Sequence, residues 1–269
     1  MTRARPAVAL TVAGSDSSGG AGIQADLKTF GAFGVWGTCA VTAVTAQNTA
    51  GVLEVHVLPA SMVRAQFDAV AADIRPAAVK TGMLATAAIV ESVAAAVAHH
   101  GLSQLVVDPV LAASQGGRLL APDGLGVMKD RLFPLCAVLT PNIPEAEALL
   151  MEGPIAVDDM PDAAAALAAM GPRAVLLKGG HLAGDLSRDL LWCDGVTSWL
   201  EAPRIDSRNT HGTGCTLAAA ITARLAAGTP IPQACEAAKV FVTRAIAAGL
   251  ALGEGPGSVD PSRALGDPS

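Results

Sequence analysis

The feature of this sequence that most constrains its fold is an alternation. Short runs apolar at every position, such as Leu105–Val107 and residues 137–139 and 174–177, take turns with longer stretches of helical periodicity. A strand apolar on both sides needs cover on both faces, and crossover helices supply it in a mostly parallel sheet. We read strands at 8–13, 38–46, 52–57, 77–80, 105–107, 137–139 and 174–177, and a hairpin over 189–200 around Asp194-Gly195. Helices are expected over 22–34, 60–74, 86–100 (stopped by Gly101), 144–151, 159–170, 212–227 and 231–252. No repeat or linker interrupts this pattern. One domain over 1–269 is expected, with its core at about 8–257 and a loosely held tail from Gly253.

Composition narrows the function. The 269 residues are 51% hydrophobic and 16% charged, which excludes disorder and suffices for a large core. A net charge of −6 argues against nucleic acid as the main partner. With 3% aromatics and no Tyr, a base-stacking platform is excluded as well. A small anionic ligand is compatible, because local Lys residues and helix N-termini can hold it. The five Cys, at 39, 136, 193, 215 and 235, are odd in number and form no CxxC, so neither a disulfide framework nor structural zinc is expected. A reducing, cytoplasmic setting fits. The apolar start runs into a Gly-rich loop and reads as a buried first strand rather than a signal peptide. No uncharged apolar run reaches the roughly 20 residues of a membrane span.

Ligands of such sheets bind beyond the carboxyl ends of the strands, and the unusual residues lie there. The first strand opens into Gly14-Ser15-Asp16-Ser17-Ser18-Gly19-Gly20-Ala21-Gly22, with four glycines in nine residues. It is neither GxxxxGK[ST] nor GxGxxG, and reads as a flexible turn or a place of close backbone approach. In the next helix Asp26 falls on the apolar stripe of Ile23, Leu27, Phe30 and Phe33, so it needs a partner: a neighbouring loop or a ligand. A continuous strand over 38–46 would put Cys39, Val41, Ala43, Thr45 and Gln47 on one face. The Gln47 amide either satisfies loop backbone or matches the amino group and ring nitrogen of an aminopyrimidine. Asp108, Asn142 and Glu145 follow two strands and suit either Mg²⁺, mostly through water, or helix capping. Lys178 beside Gly179 and Gly180 suits a phosphate, or is a surface cation. His181 and His211 read as structural or site-edge residues. Gly212, Thr213 and Gly214 open a helix with free N–H groups, a nest for a phosphoryl group in flight. Cys215 in that first turn is expected to have a lowered thiol pKa, unless it is a small buried hydrophobe.

Seven stretches in order carry a resemblance: AGSDSSGGAGIQADLKT (13–29), TAQNT (45–49), KTGML (80–84), DPV (108–110), TPNIPEAEAL (140–149), KGGH (178–181) and NTHGTGCTL (209–217). The chain resembles the bacterial hydroxymethylpyrimidine/phosphomethylpyrimidine kinases of thiamine biosynthesis, within the ribokinase-like superfamily. That resemblance implies an α/β fold of three layers, α/β/α, with a mostly parallel central sheet. It implies ATP and Mg²⁺, and two successive phosphorylations of 4-amino-5-hydroxymethyl-2-methylpyrimidine. Carried over residue by residue, Gly14, Asp26, Gln47, Met83, Val110 and Cys215 would line the pyrimidine site. Lys178 would meet the ATP phosphates, with Asp108, Asn142 and Glu145 near the metal. Cys215 would replace the superfamily's usual Asp as the group activating the hydroxyl, beside the Gly212–Thr213–Gly214 anion hole. A homodimer is implied, and no appended thiamine-phosphate synthase domain is expected. Two rival readings are a pyridoxal kinase of the same branch and a non-catalytic pyrimidine sensor on a kinase fold.

Overall fold

The computed structural model describes residues 5–112, 116–180, 182 and 184–265. Its strands are β1 (Val8–Ala13), β2 (Trp36–Val41), β3 (Ala43–Asn48), β4 (Gly51–Val57), β5 (Ala78–Thr81), β6 (Leu105–Val107), β7 (Val138–Leu139), β8 (Ala174–Lys178), β9 (Leu186–Cys193) and β10 (Val196–Pro203). The helices are α1 (Gly22–Ala32), α2 (Ala60–Asp73), α3 (Ala87–His99), α4 (Gly124–Val127), α5 (Ile143–Leu150), α6 (Met160–Ala168), α7 (Thr213–Ala226) and α8 (Ile231–Ala247). An eight-stranded sheet runs in the order β2-β1-β5-β6-β7-β8-β9-β10. Pairing is parallel from β2 through β8, and β9 pairs antiparallel with both neighbours.

Every residue of β1, β5, β6 and β7 is buried, as two covered faces require. One face packs Phe67, Val93, Leu149 and Leu167 from α2, α3, α5 and α6. The other packs Phe30, Leu217, Ile221 and Phe241 from α1, α7 and α8. The helices start where local chemistry dictates. Thr86 caps α3 by accepting from the Ile89 N–H at 3.3 Å, and Asn142 and Glu145 form a reciprocal capping box on α5. Among the described residues no helix is long and apolar enough to cross a membrane.

The expected strand over 38–46 is broken at Thr42. Thr42 is fully buried; its N–H donates to the Ala13 carbonyl at 3.0 Å and its hydroxyl to the Met83 carbonyl at 2.6 Å. These bonds turn the chain out of the large sheet, and β3 and β4 form a separate two-stranded ribbon. Cys39 and Gln47 therefore do not share one continuous face. The expected helix over 231–252 stops at Ala247, because Leu250 pairs with Ser258 instead. The tail is correspondingly not loose up to residue 265: Ser258, Val259, Asp260 and Ala264 are buried against α1 and α8. A helical segment at 124–135 has no counterpart in the sequence reading. Its Gly and Pro content hides the buried Met128 and Leu132, one helical turn apart.

The β2-β1-β5 order reverses at β1, the kind of point where a doubly wound sheet opens a crevice. The carboxyl ends of β1, β5, β6, β7 and β8 bring Gly14, Met83, Asp108, Asn142 and Lys178 to that edge.

Candidate active site

The Gly-rich loop is built around one carboxylate. Asp16 is 2% exposed and accepts from the Ser18 N–H (2.9 Å) and hydroxyl (2.7 Å), and from the Gly20 (3.2 Å) and Ala21 (2.8 Å) N–H groups. Its Oδ2 also meets His211 Nε2 at 2.8 Å. Burial alone would raise the Asp16 pKa, but the bonds from His211, Ser18 and Ala21 outweigh it and hold the carboxyl well below its ordinary range. His211 thus ties the loop to the turn that opens α7. The two backbones approach so closely that a Cβ on Gly212, which has φ +82°, would lie 1.8 Å from the Gly20 carbonyl. Asp16 was missed in the sequence, although Asp followed by Ser at the second position is an Asx-turn signal.

Beneath the loop lies a buried ion pair. Lys80 Nζ donates to both Asp26 oxygens at 2.8 Å, and the Thr11 hydroxyl donates to Asp26 Oδ2 at 2.6 Å. Both side chains are 0% exposed. This corrects the expected ligand-binding role of Asp26: its partner is Lys80, and it presents no surface to a ligand. Burial would lower the Lys80 pKa, but the Asp26 carboxylate overrides this and keeps the ammonium charged. Lys80 stood inside a quoted motif, yet nothing in the sequence shows that β5 lies against α1's polar position.

Lys178 sits between two acids, 3.1 Å from Asp108 Oδ1 and 3.9 Å from Glu145 Oε2. Asp108 is 2% exposed and also accepts from the Thr140 hydroxyl at 3.3 Å. The start of α7 closes on the same point: a Cβ on Gly214 would lie 3.4 Å from Lys178 Nζ and 3.8 Å from Asp108 Oδ2. Asp108, Glu145, Lys178 and the Gly212–Cys215 turn therefore converge. Asn142 departs from expectation in part. Its amide oxygen is engaged by the Glu145 N–H at 2.8 Å, while Glu145 Oε2 accepts the Asn142 N–H at 2.8 Å. Capping and site placement thus coincide in Glu145.

Burial raises the Glu145 pKa to about 7, with Lys178 lowering it and Asp108 raising it. The folded state then holds a proton that the unfolded chain has already released above its ordinary value of 4.5. Glu145 accordingly contributes stability that is present at pH 4.5 and lost as pH rises through 7. Glu145→Gln, which can keep the cap, should show a smaller loss of unfolding free energy between those two pH values than the unmodified chain. Urea denaturation at each pH, without metal, measures it.

Cys215 corrects a second expectation. Burial pushes its thiol up to about 11; Lys80 lowers it, while Asp26 and Asp108 raise it again. Cys215 is half-buried, and desolvation with the two carboxylates holds its thiol up, against the lowering that the helix N-terminus alone would give.

On the other side of the crevice, a Cβ on Gly14 would lie 3.2 Å from Met83 Sδ, so these two residues adjoin. Gln47 is docked to the Gly-rich loop through its backbone: its N–H donates to Ser17 Oγ (2.7 Å), and its carbonyl accepts the Ser17 hydroxyl (2.6 Å). A bulge at Ala46/Gln47 re-aims its side chain, whose Oε1 lies 3.4 Å from the Thr45 hydroxyl. Val110, half-buried, follows Asp108 across Pro109, and its N–H donates to the Asp108 carbonyl at 2.9 Å. A cavity of about 240 Å³ opens beside Met83, lined also by Val55, Val57 and Leu120. His181 lies outside the described residues.

A family model described as phosphomethylpyrimidine kinase matches residues 16–260. The chain belongs to that family. A hydroxymethylpyrimidine/phosphomethylpyrimidine kinase of Streptomyces coelicolor is 52% identical over 265 residues, covering 97% of each chain. Among solved structures, a phosphomethylpyrimidine kinase of Clostridium difficile superposes with TM-score 0.79 at 41% identity, covering 89% of this chain and 99% of that one. A pyridoxal kinase of Bacillus subtilis in complex with ADP superposes with TM-score 0.89 at 38% identity, covering 97% and 99%. The fold is therefore the expected ribokinase-like one, and members of both branches share it.

Proposed function

We propose that this kinase transfers phosphoryl groups from ATP to 4-amino-5-hydroxymethyl-2-methylpyrimidine, giving the monophosphate and then the diphosphate in thiamine biosynthesis. The observation that carries the reading is the convergence of Lys178, Asp108 and Glu145 on the Gly212–Cys215 turn, in a chain about half identical to enzymes named for both steps. The backbone N–H groups of the turn, of which that of Thr213 is engaged by the Thr210 carbonyl at 3.2 Å, and the Lys178 ammonium would hold charge on the phosphoryl group as it moves. In a loose transition state the attacking hydroxyl loses its proton late, so a neutral thiol at 215 orients that hydroxyl rather than removing its proton. We therefore assign catalysis to Lys178, Gly212, Thr213 and Gly214. Gly14, Gln47, Met83 and Val110 are placed along the ring, with Cys215 at the hydroxymethyl group.

Among the described residues no three His, Cys, Asp or Glu side chains form a metal cage. Mg²⁺ takes few protein carboxylates and fills its shell with water and phosphate oxygens. Asp108 and Glu145 would hold it, and it would neutralise charge on the phosphates. A homodimer would use the β3–β4 ribbon, where Val44 is 50% and Leu53 77% exposed. Five free cysteines accord with a cytoplasmic setting, and the continuous pattern with one domain over 1–269.

The solved pyridoxal kinases favour a second ring substrate, and Gln47 tests the choice. Gln47→Leu should weaken the aminopyrimidine by about 1–3 kcal/mol, read as KM, because its amino and ring-nitrogen edge loses its partner. An unchanged KM removes Gln47 from the site. Cys215→Ser tests the thiol. Both phosphorylations should slow by a similar factor, on the order of tenfold, since Ser keeps a hydrogen-bonding group there. A loss confined to the first step would identify a base instead.

A further inference from the structure

A second buried ion pair, unused by the mechanism above, lies behind the phosphate side of the site. Asp189 on β9 and Lys239 on α8 are 4% and 5% exposed. Lys239 Nζ donates to Asp189 Oδ2 at 2.8 Å and to Ser187 Oγ at 2.9 Å. The other carboxylate oxygen, Oδ1, accepts the backbone N–H of Gly179 at 3.0 Å. Gly179 directly follows Lys178, and Lys178 and Asp189 are register partners across β8 and β9.

This arrangement does more than satisfy a buried pair. Gly179 is pressed so hard against β9 that a Cβ there would lie 2.1 Å from the Arg188 carbonyl. Its N–H goes to a side chain rather than to a ladder carbonyl, so β8 ends at Lys178 and the chain turns. The end of β8 is held from behind by Asp189 while the Lys178 side chain reaches Asp108 and Glu145 in front. Placement errors of about 1 Å in such groups can cost on the order of 10²-fold in rate.

We infer that Asp189, held in place by Lys239, is a positioning residue that sets Lys178 for the nucleotide phosphates. The inference rests on the reading of Lys178 given above and concerns a pair that touches no substrate.

The test uses the full chain. Asp189→Leu/Lys239→Met replaces both charges by apolar groups, a change that buried pairs often tolerate in stability. It should raise KM for ATP about tenfold or more while KM for the pyrimidine moves less than about twofold. Asp189→Asn/Lys239→Met restores an acceptor for the Gly179 N–H, and should return KM for ATP to within about twofold of the unmodified enzyme. A purely structural pair would lower the thermal midpoint without that split. Equal KM values for ATP in the Leu/Met variant and the unmodified enzyme overturn the inference, as does a failure of the Asn/Met variant to recover. If the Leu/Met variant does not fold, Asp189→Ala/Lys239→Met, which likewise leaves the Gly179 N–H without its acceptor, takes its place under the same twofold and tenfold limits. Lys178→Ala, measured alongside, separates the two claims. If it leaves ATP kinetics unchanged, the reading of Lys178 fails. If it slows them while the Asp189 variants do not, the positioning inference alone fails.

Discussion

Lys178→Ala should lower kcat by on the order of 10²–10³-fold, the cost of removing one preorganised group from a developing charge. The ammonium lies within 4 Å of both site carboxylates, at 3.1 and 3.9 Å, and beside the backbone of Gly214. It is a positive group at the point where strand ends and helix start meet. Its contribution should grow in the transition state, so kcat falls more than pyrimidine affinity. Pre-steady-state kinetics, with pyrimidine binding measured separately by calorimetry, would show this split. A tenfold loss of pyrimidine affinity with an unchanged kcat would place Lys178 elsewhere in the site.

The second large effect concerns stability. Lys80→Met leaves the Asp26 carboxylate buried with only the Thr11 hydroxyl as its donor. Breaking one side of a buried pair costs about 3–5 kcal/mol. In a chain of this size roughly 2–4 °C of thermal midpoint follows each kcal/mol, so Tm should fall by roughly 10 °C. Asp26→Leu/Lys80→Met removes the orphaned charge and should recover most of that loss. Calorimetric scans of the two variants test it. Equal midpoints for the single and double variants would show that the pair is not a coupled unit.

The layered fold was legible because strands apolar on both sides admit few architectures. The meeting of Gly212–Cys215, Lys178, Asp108 and Glu145 was legible too, since they end or follow strands or open helices. The misses share a cause, which is pairing across distant segments. The distance in sequence from Lys80 to Asp26 is 54 residues and from His211 to Asp16 195. No local pattern reports such partners. Asp26 looked like a ligand contact for that reason, whereas a fully buried neighbour already used both its oxygens. The upward push on the Cys215 thiol was not legible because the helix terminus is a local feature, while desolvation and the Asp26 and Asp108 charges are tertiary. The break at Thr42 depended on the Ala13 and Met83 carbonyls, again invisible along the chain.

The most direct measurement of the central claim is product analysis by mass spectrometry. The chain would be incubated with ATP, Mg²⁺ and the aminopyrimidine alcohol, and in parallel with pyridoxal. The pyrimidine monophosphate should appear first and the diphosphate after it, with matching ADP release and a higher kcat/KM than for pyridoxal. Phosphorylation of pyridoxal alone, or binding of the pyrimidine without ADP release, would contradict it.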